Sequence, residues 1–122
     1  LGTRNFGSVD PIHEIVDLKA HLSTQGMCFY IHADASSGGY LKSLFVDPKG
    51  NTLAREKIQK EHSEFPSQGV YDAFCSLNQV DSITIAPHTL GYLPQGIGVF
   101  VARNREIVKL LKNCQSVSKD KK

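Results

Sequence analysis

Polar side chains stand at the ends of two apolar segments. Asp34 follows the segment Met27–Ala33, and His88 and Thr89 follow the segment Ser82–Ile85. A carboxylate at the tip of an apolar strand is costly unless it is paired or hydrogen-bonded. Asp34 therefore either caps the loop that follows it or holds a polar ligand, and the residue alone leaves both interpretations open.

His32 precedes Asp34 by two residues, so the two side chains share one face of an extended strand. A histidine and a carboxylate could ligate a metal together, but no third ligand stands at a recognisable spacing. We therefore expect no metal site and give His32 a structural, hydrogen-bonded role. Ser82 and Thr84 are interpreted as strand residues because no base is arranged to activate either hydroxyl.

The sequence around these polar residues predicts helices and turns. Asp10 as N-cap and Pro11 as first helical residue predict a helix start, and Gly26 closes the apolar periodicity that follows. A turn is expected at 47–51 and an exposed helix or surface loop at 55–64. The sequence indicates two later helices. The first is amphipathic, with its apolar face formed by Val70, Ala73, Phe74 and Leu77. The second is capped by Asn104, and its apolar face is formed by Ile107, Val108, Leu110 and Leu111.

Three short apolar runs predict strands at 27–33, 82–85 and 97–102. The first run is nearly continuous, which is typical of a strand buried on both faces of a parallel sheet. The element order indicates an α/β fold, in which ligands bind beyond the carboxyl ends of the strands. Asp34 and His88 are expected at those ends.

Two segments carry a family resemblance. They are His32–Tyr40, with the sequence HADASSGGY, and Asp81–Tyr92, with the sequence DSITIAPHTLGY. Both resemble the pyridoxal-phosphate-dependent amino-acid decarboxylases of group II, which include tyrosine, glutamate and aromatic amino-acid decarboxylases. The resemblance implies that residues 1–115 are a central fragment of the large domain. It also implies a partial aspartate aminotransferase fold (fold type I), with three layers and a mostly parallel sheet. The polar tail 116–122 is expected to be disordered.

The resemblance also implies a cofactor site. In this family the aspartate matching Asp34 contacts the pyridine nitrogen of the cofactor, and this makes the ring an electron sink. The histidine matching His88 lies against the cofactor near its phosphate. The resemblance places Thr3, Ala35 and His32 at the same site.

Thr89 departs from the family pattern at the position that matters most. The family has a lysine there, which holds the cofactor as a Schiff base, and a hydroxyl cannot replace that amine. No catalytic residue is therefore assigned, and the nearest lysines in sequence are Lys60 and Lys109. Five further positions depart from the pattern, which suggests relaxed or redirected function: Arg4, Ser36, Ser37, Ala86 and Gln95.

Two functions are therefore expected, and the first is favoured. The first is a decarboxylase-family domain, a carboxy-lyase of an aromatic or acidic amino acid in its complete form, which is inactive in this chain and binds pyridoxal phosphate weakly or not at all. The alternative is a non-enzymatic α/β interaction or assembly subunit that retains the decarboxylase fold.

Composition restricts the partners. The net charge of +2 is too small to indicate nucleic-acid binding, and no apolar run approaches the roughly 20 residues of a membrane span. Three widely spaced cysteines favour reduced thiols and a cytoplasmic location. Three strands make an under-filled sheet with exposed edges, so we expect self-association or pairing with a chain that supplies the missing parts of the fold.

Overall fold

The chain forms an α/β structure, as expected. A computed structural model describes residues 1–3 and 7–109. In chain order its elements are α1 (Ile12–Ser23), β1 (His32–Asp34), a 3-10 helix (Gly39–Phe45), α2 (Arg55–Glu61), α3 (Gln68–Ser76), a 3-10 turn (Leu77–Gln79), β2 (Ser82–Ile85), α4 (Pro87–Leu90) and β3 (Val99–Ala102). Residues 105–109 are also helical. No helix in these ranges is long and apolar enough to cross a membrane.

Several expectations concern residues outside the described ranges. These are the departure at Arg4, the apolar positions Leu110 and Leu111, Cys114, and the polar tail at 116–122. The boundary expected after residue 115 lies there as well.

The described strands form one mixed sheet in the order β1-β2-β3. β1 runs parallel to β2 and pairs His32 with Ser82 and Asp34 with Thr84. β3 runs antiparallel to β2 and places Phe100 opposite Thr84. The expectation of a mostly parallel sheet is thus not met in this part of the chain, because the short connection after α4 returns the chain as an antiparallel neighbour.

Helices cover one face of the sheet. The buried core joins α1, α2, α3 and the 3-10 helix to the β1 face that carries Ala33, and its members are Ile12, Ile31, Ala33, Phe45, Ile58, Ala73, Phe74, Leu77 and Val80. The other face carries His32, Asp34 and Phe100, all exposed. Within the described ranges the structure therefore has two layers instead of the three that the resemblance implied.

Helix α1 begins one residue later than the sequence predicted. Pro11 has φ −77° and ψ 69°, which is outside the helical region, so Pro11 is the N-cap and Ile12 the first helical residue. At the other end, Gly26 has a φ of +76°. Its amide and that of Met27 donate to the carbonyls of Ser23 and Leu22, at 3.1 Å each. This is a Schellman motif, and it confirms that Gly26 closes the helix.

The first strand is shorter and more exposed than predicted. β1 comprises only His32–Asp34, and Met27 and Tyr30 are each 48% exposed. Among the described residues β1 has a strand neighbour only on its β2 side. The apolar run at 27–31 therefore lacks the pairing and burial on both faces that its composition predicted.

The remaining elements agree more closely. β2 has the predicted bounds, α2 confirms a helix within 55–64, and α3 continues into a 3-10 turn that buries Leu77. The carboxylate of Asp47 accepts from the amides of Lys49 and Asn51 and closes the predicted turn. Asn104 Oδ1 accepts from the Glu106 amide at 2.9 Å, as expected of a helix N-cap.

Asp81 joins three elements at the start of β2. Its carboxylate accepts from the Lys19 ammonium of α1 and, at 2.7 Å, from the Ile31 amide. Its own amide donates to the Ile31 carbonyl at 3.0 Å, and its carbonyl accepts from the Arg103 amide at 2.9 Å. The hydrogen bond from Ile31, followed by that from Lys19, holds the pKa of Asp81 below its ordinary value. Asp81 therefore fixes the register of β1 and β3 beside β2 and ties α1 to the sheet.

Replacing Asp81 with asparagine should destabilise the fold. We expect Asp81→Asn to lower the free energy of unfolding by about 1–3 kcal/mol, because hydrogen bonds to a charged acceptor are lost at a half-buried site. Urea denaturation followed by circular dichroism measures the change. Asp17→Asn, which changes an exposed carboxylate of the same helix α1, should have little effect.

The pH dependence gives a second readout of the same change. Because the folded pKa of Asp81 is lowered, its contribution is present above the ordinary value of 3.8 and is lost as the pH falls through the folded value. Stability of the unmodified chain should therefore decline more steeply below that pH than stability of Asp81→Asn. Parallel pH profiles for the two proteins would contradict this role.

Candidate functional site

Asp34 lies at the carboxyl end of β1, and only one of its oxygens is engaged. Oδ1 accepts from the amide and hydroxyl of Ser36, the amide at 3.0 Å, and from the Thr84 hydroxyl at 3.3 Å. These hydrogen bonds, those from Ser36 foremost, hold the pKa of Asp34 below its ordinary value. Asp34 thus caps the loop after β1, as one interpretation of the sequence had it. Within the described residues Oδ2 accepts no hydrogen bond and remains available to a ligand.

His32 occupies the same face of the sheet. Its Nδ1 lies 2.7 Å from the Ser82 hydroxyl and its Nε2 lies 3.4 Å from that of Thr84. The imidazole stacks on Phe100, with ring centroids 5.9 Å apart and planes inclined by 22°. The hydrogen-bonded role expected for His32 agrees with this geometry. No group of three or more His, Cys, Asp or Glu side chains gathers in the described ranges as metal ligands would.

Two adjoining clefts open beyond the carboxyl ends of β1 and β2. The first, which we call the Thr89 cleft, has a volume of about 520 Å³ and is lined by Ser36, Ser37, Ala86, His88, Thr89 and Gln95. The second, the β3 cleft, has a volume of about 430 Å³ and adds an apolar wall from Ile85, Ile97, Val99 and Phe100. Ser36, Ala86 and His88 line both. The clefts lie where α/β sheets bind ligands.

A single helical turn carries His88 and Thr89 into the clefts. Pro87 occupies the first position of α4, where a missing amide costs nothing. The turn closes with Gly91, whose amide donates to the Pro87 carbonyl at 2.8 Å. The sequence predicted the end of a strand here, and the proline explains why a helical turn begins instead.

The departures from the family pattern that fall on described residues meet at one place. Ser36, Ser37, Ala86, Thr89 and Gln95 are far apart in sequence, yet together with His88 they make up the lining of the Thr89 cleft. Two of these residues come from the loop after β1 and the others from beyond β2. The departures are therefore changes to one surface.

Of the two remaining residues that the resemblance assigned to the site, Thr3 lines a cavity and Ala35 is buried. Thr3 lines a smaller cavity of about 270 Å³ together with Thr89, so the structure brings these two residues together. Ala35 is fully buried, and its Cβ would lie 3.2 Å from a Cβ added at Gly39. Its side chain therefore packs beneath the loop and lines neither cleft.

The described lysines lie away from these surfaces. Within residues 1–3 and 7–109, no lysine lines the Thr89 cleft, the β3 cleft or the cavity shared with Thr3. Lys60 is exposed on α2, and the Lys109 ammonium pairs with Glu106 at 2.7 Å. Lys42 is the lysine whose pKa burial lowers, but its ammonium donates to the Phe74 carbonyl at 2.8 Å. No described lysine therefore replaces the amine that Thr89 lacks.

Sequence reasoning missed part of the site. Thr84 was interpreted as a plain strand residue and Phe100 was not singled out. Thr84 nevertheless contacts Asp34, Phe100 contacts His32, and both line the β3 cleft. They lie there because Thr84 is opposite both Asp34 and Phe100 in the sheet. A period-2 strand pattern could have suggested the faces, but it does not specify the register.

Comparison with known proteins agrees with the resemblance. The chain is 34% identical over 113 residues to an L-tyrosine decarboxylase of Enterococcus faecalis. It is 32% identical over 119 residues to that of Enterococcus faecium and 36% identical over 112 residues to that of Levilactobacillus brevis. These matches cover 84–91% of the chain but only 18–20% of each relative. No protein-family model matches the chain.

The chain is group II decarboxylase-like. Its relatives imply pyridoxal phosphate as the cofactor of the family. The α/β fold of the decarboxylase-like chain is consistent with that of pyridoxal-phosphate transferases. The chain spans about a fifth of the length of the curated relatives that it matches.

The cofactor fits the residues of this site only in part. Asp34 is ionised at neutral pH and has a free oxygen, which suits a protonated ring nitrogen. The described residues that line the clefts, in contrast, offer hydroxyls, a carboxamide and an imidazole, but no amine. None of these lining residues therefore supplies the group needed for covalent attachment.

The backbone at Gly91 has no room for a side chain. A Cβ there would lie 2.5 Å from the Pro87 carbonyl oxygen and 2.6 Å from Tyr40 Cζ. We expect Gly91→Ala to displace α4 and to cost about 1–3 kcal/mol of stability. Amide chemical shifts of His88 and Thr89, together with urea denaturation, measure both effects.

Gly98→Ala is the matched control, because a Cβ at Gly98 meets nothing within 4 Å. It should leave the α4 shifts unchanged. Equal effects of the two substitutions would refute the close approach of Tyr40 to this turn.

Proposed function

We propose that this decarboxylase-like chain has lost the covalent chemistry of its family and forms a ligand cleft that holds pyridoxal phosphate weakly, without a covalent bond, or not at all. Thr89 carries the proposal, since the resemblance puts it at the lysine position and it lines the cleft where a lysine amine would be required to bond to the cofactor aldehyde. A hydroxyl adds to an aldehyde reversibly and cannot form an imine. The chain as it stands is therefore expected to be inactive as a decarboxylase.

The clustering of the departures supports the proposal. A single change at position 89 would leave the rest of the surface suited to the original chemistry. Here Ser36, Ser37, Ala86 and Gln95 line the same cleft. Among the described residues this lining contains no carboxylate, ammonium or guanidinium group, so the chemistry of these residues is that of neutral hydrogen bonds beside one imidazole. Such a surface favours reversible binding of a polar ligand.

Asp34 supports the non-covalent part of the proposal. Its hydrogen bonds from Ser36 and Thr84 all reach Oδ1. Oδ2 can therefore accept from a protonated ring nitrogen at little cost in existing contacts. One charge-assisted hydrogen bond contributes about 1.5–3 kcal/mol, which corresponds to weak binding by itself.

The test is incubation of the chain with pyridoxal phosphate over a concentration series from equimolar upward, followed by borohydride reduction and tryptic peptide mapping. Residues 61–102 contain neither lysine nor arginine, so the peptide that carries Ala86, His88, Thr89 and Gln95 of the cleft cannot take up the label. We expect sparse labelling of surface lysines that rises with cofactor concentration without saturation. Saturable, stoichiometric labelling of one lysine would contradict the proposal.

Thr89→Lys and Thr89→Ser form the matched pair of variants. Thr89→Ser keeps the hydroxyl and should behave as the unmodified chain. Thr89→Lys supplies the amine, but we expect no stable visible absorption band after removal of free cofactor, because Thr89 is exposed and an imine formed there would be open to hydrolysis by water. A retained band in Thr89→Lys would show that the missing lysine is the main defect.

An assembly role is the second candidate, and β3 favours it. Among the described residues β3 is an edge strand, and it exposes apolar side chains on both faces, with Val99 and Phe100 each 38% and Val101 52% exposed. An unpaired apolar edge is a template for another strand. In a preparation of this chain alone that strand comes from a second copy, since two identical edges can pair antiparallel about a twofold axis.

Self-association should therefore depend on β3. We expect Val101→Lys to weaken it at least about tenfold, because the ammonium would be buried in an apolar interface. Sedimentation velocity across a concentration series measures the effect. Leu18→Lys on α1 is the control, because Leu18 is 51% exposed and lies outside the sheet. A chain that stays monomeric at high concentration would count against the assembly role.

A further inference from the structure

Four side chains on the exposed face of the sheet form a chain of hydrogen bonds, which we call the polar relay. The Ser82 hydroxyl lies 2.7 Å from His32 Nδ1. His32 Nε2 lies 3.4 Å from Thr84 Oγ1, which in turn lies 3.3 Å from Asp34 Oδ1. The two contacts of Thr84 are long, as hydrogen bonds near ligand sites often are before a ligand binds.

The parallel register creates the polar relay. His32 pairs with Ser82 and Asp34 with Thr84, so all four side chains project from one face. The His32 imidazole reaches diagonally to Thr84 and contacts Phe100 of β3 on the same face. Stacking on Phe100 holds the plane of the ring, and the contacts of Nδ1 with Ser82 and of Nε2 with Thr84 set which nitrogen faces which hydroxyl.

The direction of the hydrogen bonds follows from the acceptors. Asp34 is ionised and can only accept, so the single hydroxyl proton of Thr84 points to Asp34 when that bond forms. Thr84 Oγ1 must then accept from His32, which requires the hydrogen on Nε2. In the neutral imidazole Nδ1 is then an acceptor and takes the proton of the buried Ser82 hydroxyl. The opposite tautomer would draw the Thr84 proton away from Asp34.

We propose that His32 is a positioning residue, whose Nε2–H tautomer turns the Thr84 hydroxyl toward Asp34 Oδ1 and leaves Oδ2 of that carboxylate free for a ligand. This role is independent of the proposed function, since it concerns only residues of this sheet. Ser82 acts at the far end of the relay by setting the tautomer.

Groups outside the polar relay also affect the pKa of Asp34, and their effects have to be distinguished from that of the relay. The Leu1 amino group donates to the Asp34 backbone carbonyl, and its charge also lowers the pKa of this carboxyl. Ser36 contributes the largest lowering. On β2 and β3 the groups facing His32 are Ser82, Thr84 and Phe100, none of which is charged at neutral pH.

The first test needs no variant. In the whole chain, with the Leu1 amino group acetylated, long-range proton–nitrogen NMR spectra of ¹⁵N-histidine identify the protonated nitrogen of His32 at a pH where the ring is neutral. We expect the hydrogen on Nε2. A hydrogen on Nδ1 would overturn the proposal.

The second test follows Asp34 itself through the titration of its carboxyl carbon. Thr84→Val removes the hydroxyl at nearly constant shape and should shift the pKa of Asp34 upward, whereas Thr84→Ser should restore it. His32→Phe keeps an aromatic ring against Phe100 but removes both nitrogens, and should shift the pKa in the same direction. An unchanged Asp34 titration in His32→Phe would overturn the role of His32, even if Thr84→Val had its effect.

Discussion

The parallel pairing of β1 with β2 is the constraint on which the site depends. Its register places Asp34 beside Thr84 and His32 beside Ser82, and it brings the loops after both strands to one edge of the sheet. A slip by one residue would turn Asp34 toward the helices and bury a carboxylate without partners. Asp81 secures this register from the opposite end by holding the Ile31 backbone, α1 and the start of β3.

The same pairing explains why the changed residues lie together. The loop after β1 and the turn after β2 are about fifty residues apart in sequence, but parallel strands end at the same edge. Substitutions in the two segments therefore act on one cleft. The carboxylate behind that cleft keeps its hydrogen bonds, while Thr89 at its wall offers no amine. Under the proposed function, the part of the site that would orient and polarise a ligand persists, and the part that would bond to it covalently is lost.

Sequence reasoning recovered the local features of this fold and missed those that depend on neighbours. The bounds of β2, the closing glycine at Gly26 and the cap at Asn104 follow from short-range rules and are confirmed. The length and burial of β1 were wrong, because burial depends on which strands lie beside it. The antiparallel direction of β3 and the role of Thr84 depend on sheet topology and register, which strand patterns leave undetermined. In the site, the position of Thr89 at a cleft agrees with the sequence argument, whereas Ala35 packs into the core.

The most direct test of this account is ¹³C NMR of the chain mixed with pyridoxal phosphate labelled at its aldehyde carbon. The spectrum reports whether that carbon remains an aldehyde, or its hydrate, or becomes an imine. The account predicts aldehyde and hydrate signals, with small, rapidly exchanging amide shifts at Ser36 and His88 if the cofactor binds at all. A stoichiometric imine signal in slow exchange, lost when one particular lysine is replaced, would contradict it.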